Sequence, residues 1–397
     1  MRILFVTPYV PSEVRIRPFA FIRELARMGH QVTLACLVQP AWESKYISQV
    51  ASYCQSVHPV FLGKLEPYLH ALASLPTKLP LSVAYCKSTE FEKLIRSLVH
   101  QGSYDLIHTE FVRAAPVTMN LTGIPKSFDA VDSLFLAYQR GSKAPLVSLW
   151  QKLIYLIESI KMKDYELKIQ NHYDGVMVSS PIDQKVLQNN GQQVSIIPNG
   201  VDLKFFSFQE SPKESRTIIF LGKMSYYVNV ASVLWFYQEV FPLIRQKRSD
   251  VKLKIIGRNP VSAISALSSD PAVEVTGTVP DVRPHLAQGM VSICPMICGS
   301  GIQNKLLEAM AVGNPCVATP IATQGISVKH GTDVLVAENP DSFANAVLEL
   351  IEQPSLRHRI AENARYYVEG HHSWDRIGDR LDQFYNELLS SYQNRSH

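Results

Sequence analysis

The sequence has no uninterrupted apolar run long enough to span a bilayer. It has no C-x-x-C pair, so a zinc site of the usual spacing is not expected. No G-x-G-x-x-G follows its first strand-like segment, which argues against a nicotinamide-dependent oxidoreductase. No Asp-x-Asp is placed to clamp a divalent ion. Neither sign of charge dominates: 39 basic and 35 acidic residues leave a net charge of +4. That balance excludes a general nucleic-acid binder but allows a local basic face for a phosphate or an anionic membrane surface. Cysteine is scarce, and most of the 6 sit in apolar contexts, where a free thiol behaves as a small hydrophobe and suits a reducing cytosol. Met1 to Phe5 reads as a strand and not as the charged and apolar regions of a signal peptide. The expectation is a cytoplasmic protein, with attachment at the cytoplasmic face of the inner membrane as a further option.

What is present is a chain of 397 residues, 46% hydrophobic and 19% charged, the size and composition of two globular domains. Short apolar runs predict strands at 2–8, 31–37, 57–62, 105–111, 126–131, 174–180 and 194–198. A helical pattern at 18–28, stopped by Gly29, lies between the first two, making a β-α-β unit. After the turn Pro198-Asn199-Gly200 a second series begins: 217–221, 252–256, 273–277, 291–295, 316–319 and 334–336. Helices fit at 230–246, 303–312 and 341–352. The pattern predicts two doubly wound α/β domains, 1–198 and 199–374, whose ligands bind outside the carboxyl ends of the strands. A last helix, 375–393, has apolar positions that need a partner surface, and packing back on the first domain would supply one. Leu146, Leu149, Trp150, Leu153, Ile154, Ile157 and Ile160 form one apolar stripe flanked by Lys152, Lys161 and Lys163. Such a helix either packs on the sheet or lies in a membrane interface.

The most specific stretch runs from Gly299 to Pro315, GSGIQNKLLEAMAVGNP. Gly299 and Gly301 allow close backbone approach to a ligand. The helix starting near Gln303 offers unpaired N–H groups and the positive end of its dipole to a diphosphate. This stretch resembles the donor-binding motif of family 4 glycosyltransferases. Ile197–Asp202 (IPNGVD) and Gly277–Val282 (GTVPDV) are similar to that family's domain junction and base-binding turn, and Val279 lies in the latter. The wording is nearest to sugar transferases of bacterial exopolysaccharide loci. The resemblance implies the GT-B architecture: two Rossmann-like domains facing across a cleft, the second for the nucleotide-sugar and the first for the acceptor.

Residue by residue, the resemblance implies that Glu308 binds ribose hydroxyls and that Gly222, Lys223, Ser300, Gly301, Ile302 and Gln303 surround the diphosphate and sugar. Ser300 stands where the family commonly has a first glutamate, so sugar contacts fall to its hydroxyl, to the loop backbone or to Gln303. Lys223 matches the first of two family cations, while Asn229 replaces the second; Lys305 is the candidate for the missing charge. Asp129 and Asp132 follow the strand that usually carries a histidine. They are candidates to orient the acceptor or stabilise charge on the sugar, or else they are turn and cap residues. His108 is a weaker candidate and reads more readily as a packed histidine. The first loop, Pro11–Arg17, lacks the usual glycines; its Arg15 and Arg17 suggest bidentate capture of an acceptor phosphate, or are ordinary surface arginines. The expected catalytic set is Lys223, Glu308 and Asp129. The expected activity is metal-independent, cofactor-free retaining transfer of a sugar to a glycan or lipid-linked acceptor. The alternative is a non-catalytic sugar-nucleotide binder on the same fold, which donor binding without transfer would reveal.

Overall fold

A computed structural model describes residues 1–144, 147–188, 193–209 and 216–396; Leu146 of the apolar stripe lies outside them. The first sheet contains β1 (Arg2–Thr7), β2 (Gln31–Val38), β3 (Ser56–Phe61), β4 (Leu106–Glu110), β5 (Lys126–Val131), β6 (Gly175–Val178) and β7 (Val194–Ile196). The second contains β8 (Thr217–Leu221), β9 (Lys252–Ile256), β10 (Val273–Gly277), β11 (Val291–Cys294), β12 (Cys316–Ala318) and β13 (Leu335–Val336). Each corresponds to an apolar run in the sequence. The central strands are apolar on both faces because helices cover both sides of a parallel sheet. Six helices bear on function: α1 (Ile16–Arg27), α2 (Glu66–Ala73), α3 (Leu149–Ile169), α4 (Tyr227–Trp235), α5 (Asn304–Ala311) and α6 (Trp374–Ser396). The helix expected over 230–246 is divided. A π-helical turn, Phe236–Val240, separates α4 from the helix Phe241–Lys247. Pro242 has no N–H to continue the ladder, and the turn widens just before it.

Strand order is β3-β2-β1-β4-β5-β6-β7 in one sheet and β10-β9-β8-β11-β12-β13 in the other. Every pairing is parallel. Both orders reverse once, between β1 and β4 and between β8 and β11, and such reversals open crevices at the strands' carboxyl ends. The chain divides into two compact units. One comprises Met1–Ser142, Leu153–Pro198 and Trp374–His397; the other comprises Lys143–Lys152 and Asn199–Ser373. The first unit is therefore interrupted, not continuous over 1–198, and it includes Trp374. That indole meets Phe21 of α1 edge-on, with ring centroids 6.2 Å apart. Ile377, Leu381, Tyr385 and Leu388 of α6 join the same core as β1 and α1.

Candidate active site

In the second unit, the loops at the carboxyl ends of β8, β9 and β11 meet. A Cβ at Gly222 would lie 2.7 Å from Asn229 Nδ2 and 3.4 Å from Lys305 Cε. On the neighbouring strand Gly257 has a φ of +153°, and a Cβ there would lie 1.6 Å from the Gly222 carbonyl oxygen. Glycine at both positions allows these loops to touch. Asn229, in the first turn of α4, is 5% exposed. Its Nδ2 donates to the Lys223 carbonyl at 3.0 Å, and its Oδ1 accepts from Lys305 Nζ at 2.7 Å. Asn229 is thus a bracket between two lysines and not a free donor. The ammonium of Lys305 stands beside the position where the resemblance leads one to expect a cation. Lys305 also donates to Gln303 Oε1 at 3.3 Å, and burial lowers its pKa. Lys223 is exposed.

The glycine loop is left-handed at Gly299 (φ +118°) and Gly301 (φ +69°) and delivers the chain into α5. Gln303, at the cap position, does not cap that helix with its side chain; its Nε2 reaches the Ser300 carbonyl at 3.4 Å. The N–H groups of Asn304 and Lys305 are thereby left for an anion, while that of Leu306 donates to the Gln303 carbonyl at 2.9 Å. The Ile302 side chain packs into the core with Leu306, so Ile302 can offer a ligand only its backbone. Ser300 and Glu308 are half-buried, and burial pushes the Glu308 carboxyl up to about 7. Val279, after β10, packs partly against Ile219, Ile256 and Leu286. Arg258, which sequence reasoning passed over, is exposed directly after Gly257, and its carbonyl accepts from Met224 N at 2.9 Å. A basic residue after a strand-ending glycine was the signal.

In the first unit, the carboxyl ends of β1, β4 and β5 bring together a different set. Arg17, expected on the surface as an acceptor-phosphate ligand, is 4% exposed. Its Nε donates to Asp129 Oδ2 at 2.7 Å and its Nη2 to Oδ1 at 3.2 Å. The guanidinium fork that would grip a phosphate grips Asp129 instead. Asp129 is fully buried, and its Oδ1 also accepts from Val131 N at 2.9 Å. Asp129 is therefore not a free carboxylate facing substrate; it holds Arg17 and the end of β5. That end is irregular: the register with β6 shifts between Asp129 and Val131, and Val131 has a φ of +64°, a strained value for a β-branched residue. Asp132 is half-buried, accepts from Ser179 Oγ at 2.6 Å, and is pushed up to about 6 by burial and by nearby Asp183. Arg15 is exposed, lies 4.7 Å from the Tyr9 ring centroid, and reaches buried Glu43 at 3.4 Å. His108 is a core histidine, stacked on Phe5 and bonded through Nδ1 to Tyr385 Oη at 2.8 Å.

The residue that sequence reasoning missed is Glu110, two positions beyond His108. It is fully buried; its Oε1 accepts from Tyr9 Oη at 2.7 Å and its Oε2 has no partner. Burial, with Asp129 nearby, pushes its pKa up to about 8. The signal was a charged residue closing a strand that is otherwise buried. Ligand atoms of His108, Glu110 and Asp129 lie within 4.8 Å of one another, as a metal site would require. The Arg17 guanidinium already supplies positive charge there and His108 Nδ1 is bonded to Tyr385 Oη, whereas His108 Nε2 and Glu110 Oε2 have no partner.

Residues 215–353, which hold Lys223, Asn229, the glycine loop, Lys305 and Glu308, match the family model described as glycosyl transferases group 1. The second unit is a group 1 glycosyltransferase domain. The glycosyltransferase is similar to the 44.6 kDa protein in the cps region of Klebsiella pneumoniae, with 21% identity over 360 residues, covering 87% of this chain and 88% of the relative. It is 20% identical over 330 residues to the UDP-Gal:alpha-D-GlcNAc-diphosphoundecaprenol alpha-1,3-galactosyltransferase of Escherichia coli, covering 77% and 82% of the two chains. The fold of the glycosyltransferase matches the crystal structure of TarM with a TM-score of 0.72 at 12% identity, covering 97% and 99% of the two chains. It matches Anabaena Alr3699/HepE in complex with UDP with a TM-score of 0.67 at 16% identity, covering 98% and 100%. The fold is GT-B.

Proposed function

We propose that this glycosyltransferase moves a sugar from a nucleotide-sugar to a hydroxyl of a glycan or lipid-linked acceptor, with retention and without a metal or other cofactor, in exopolysaccharide or glycoconjugate assembly at the cytoplasmic side. The observation that carries the reading is the half-buried Lys305 ammonium, bonded to Asn229 and Gln303 at the start of α5. A diphosphate leaving group there meets Lys223, Lys305 and the N–H groups of α5, which stabilise the charge that develops as the glycosidic bond breaks. Glu308 accepts from the ribose. The departing phosphate oxygen takes the acceptor's proton, so the new bond forms on the face the nucleotide leaves. The acceptor belongs to the first unit, where Arg15, Asp132 and Glu110 are the groups to test.

The UDP-Gal donor of the Escherichia coli relative and the UDP bound in the Anabaena structure make UDP-sugars the first donors to try. Calorimetry with a nucleotide-sugar panel should find one donor that binds, and Glu308→Ala and Lys223→Ala should each weaken it. Binding unchanged in both variants would remove the donor site from this loop. Transfer unaffected by a chelator supports metal independence, and the anomeric form of the product, read by proton NMR, tests retention.

A further inference from the structure

The outer face of α3 is mainly apolar over its first three turns, where an ordinary surface helix is polar. Leu153, Ile154, Leu156 and Ile160 are exposed by 44% to 66%, and the turn before them adds exposed Leu149 and Trp150. On the opposite face Glu158, Ser159 and Glu166 are buried beside Met162 and Ile169. Those acids fix the helix. Glu158 accepts from Leu81 N at 2.8 Å and Ser82 N at 2.7 Å, and Glu166 accepts from Leu134 N at 2.6 Å and Ser133 Oγ at 2.9 Å. Rolling the apolar stripe inward would break every one of these bonds, so the stripe stays outside.

Helix α2 likewise turns apolar side chains outward: Leu65 at its cap position, Tyr68, Leu69 and Leu72 are all at least 63% exposed. Its end is tied to α3 by Lys161, whose Nζ donates to the carbonyls of Ser74 at 2.7 Å and Leu75 at 3.0 Å. The surroundings are basic. Lys64, Lys78, Lys163 and Lys168 are exposed and Lys152 is half-exposed, against exposed Glu66 and Asp164. Soluble monomers rarely expose so many large apolar side chains on two helices tied together in this way.

We infer that α2 and the first three turns of α3 dock this protein in the interface of an anionic lipid bilayer. The leucines, Tyr68 and Trp150 enter the headgroup boundary, and the lysine rim meets the anionic headgroups. Twelve residues of helix span about 18 Å, which suits lying in the interface and is too short for crossing it. A symmetric dimer through the same face is disfavoured, because an isologous contact sets each lysine rim against its own copy.

The inference is independent of the acceptor reading, since its test involves no sugar transfer. The full chain should co-sediment with vesicles of phosphatidylcholine mixed with phosphatidylglycerol, and less well with phosphatidylcholine alone. Leu72→Glu with Leu153→Glu should lower partitioning at least about tenfold, as expected when two leucines no longer leave water. Lys64→Glu with Lys163→Glu should abolish the preference for the anionic vesicles. In the wild type, brominated acyl chains should quench tryptophan fluorescence, and Trp150→Phe should remove that quenching; this reading survives if a glutamate variant misfolds. No binding to either vesicle overturns the proposal, as does binding that the leucine variants leave intact. A dimer that Leu153→Glu dissociates, without vesicle binding, overturns it in favour of an interface between copies.

Discussion

Three residues at the sites, Gly257 and the pair Arg17 and Asp129, are required by geometry in ways a substitution can test. At Gly257 a methyl group would stand 1.6 Å from the Gly222 carbonyl oxygen, and that oxygen belongs to backbone that cannot swing aside as a side chain can. Gly257→Ala must push the β8 and β9 loops apart and so displace Lys223 and the Asn229 bracket. Affinity for the donor identified by calorimetry should fall more than about tenfold, a loss of roughly 1.4 kcal/mol; unchanged affinity would mean the two loops adjust independently. Arg17 and Asp129 pose a different case. Their pair is almost wholly buried, so removing one partner strands the other's charge. Arg17→Met should destabilise by about 3–5 kcal/mol, whereas Arg17→Met with Asp129→Asn should be less damaging than the sum of the two single changes. A thermal or urea melt of all four proteins measures this, and strict additivity would show that the pair does not act as a unit.

At the scale of elements, α6 completes the first unit's core. Trp374, Ile377, Leu381 and Tyr385 are each 2% exposed or less. Gly378 lets α6 approach α1: a Cβ there would come within 2.8 Å of Glu24 Cβ. Tyr385 links this helix to the sheet through His108. Tyr385→Phe keeps the ring and loses one hydrogen bond, a loss of about 1 kcal/mol. Tyr385→Ala empties a buried site and should lose about 3–5 kcal/mol. Equal melts for the two variants would show that the aromatic ring does not contribute.

The strands were legible because each is a short apolar run bounded by turn residues, and a parallel sheet covered on both faces demands that pattern. The loop Gly299–Gln303 was legible because its glycines and the helix after them are adjacent in sequence. The Arg17–Asp129 pair was not: its members are 112 residues apart, and only the β1-β4-β5 order brings them together. Arg17 therefore read as a surface ligand, Asp129 as a free carboxylate, and Glu110 went unnoticed. The stripe on α3 was legible as a stripe, but periodicity does not say which way it faces. That is decided by Glu158 and Glu166, whose partners come from distant loops.

Over the whole molecule, buried ionisable groups set how stability responds to pH. Glu110, Glu166, Glu308 and Asp132 all have pKa values raised by burial, to about 8, 7, 7 and 6. A carboxyl with a raised folded pKa holds more protons folded than unfolded, so it costs stability progressively as pH rises from its ordinary value to its folded one. His108 works in the opposite sense. Burial lowers its pKa to about 3, so its unfolded form binds the extra proton, and stability is lost as pH falls below its ordinary value of 6.5. Below that value the two effects oppose each other and partly cancel. Above about pH 7 they do not: His108 is neutral in both states, Asp132 has already titrated, and Glu110 is the group with most still to lose. The melting temperature should therefore fall between about pH 7 and pH 8.5, and beyond that the thiols of Cys36, Cys54 and Cys294, pushed up by burial to about 12, 12 and 11, continue the fall. Glu110→Gln keeps the size and the bond from Tyr9 but cannot ionise, so its melting temperature should fall less across that interval, the remainder coming from Glu166 and Glu308, and exceed the wild type's at the alkaline end. A wild type whose stability is flat there, or a variant that falls in parallel with it, would mean that Glu110 is ionised in the folded protein at neutral pH.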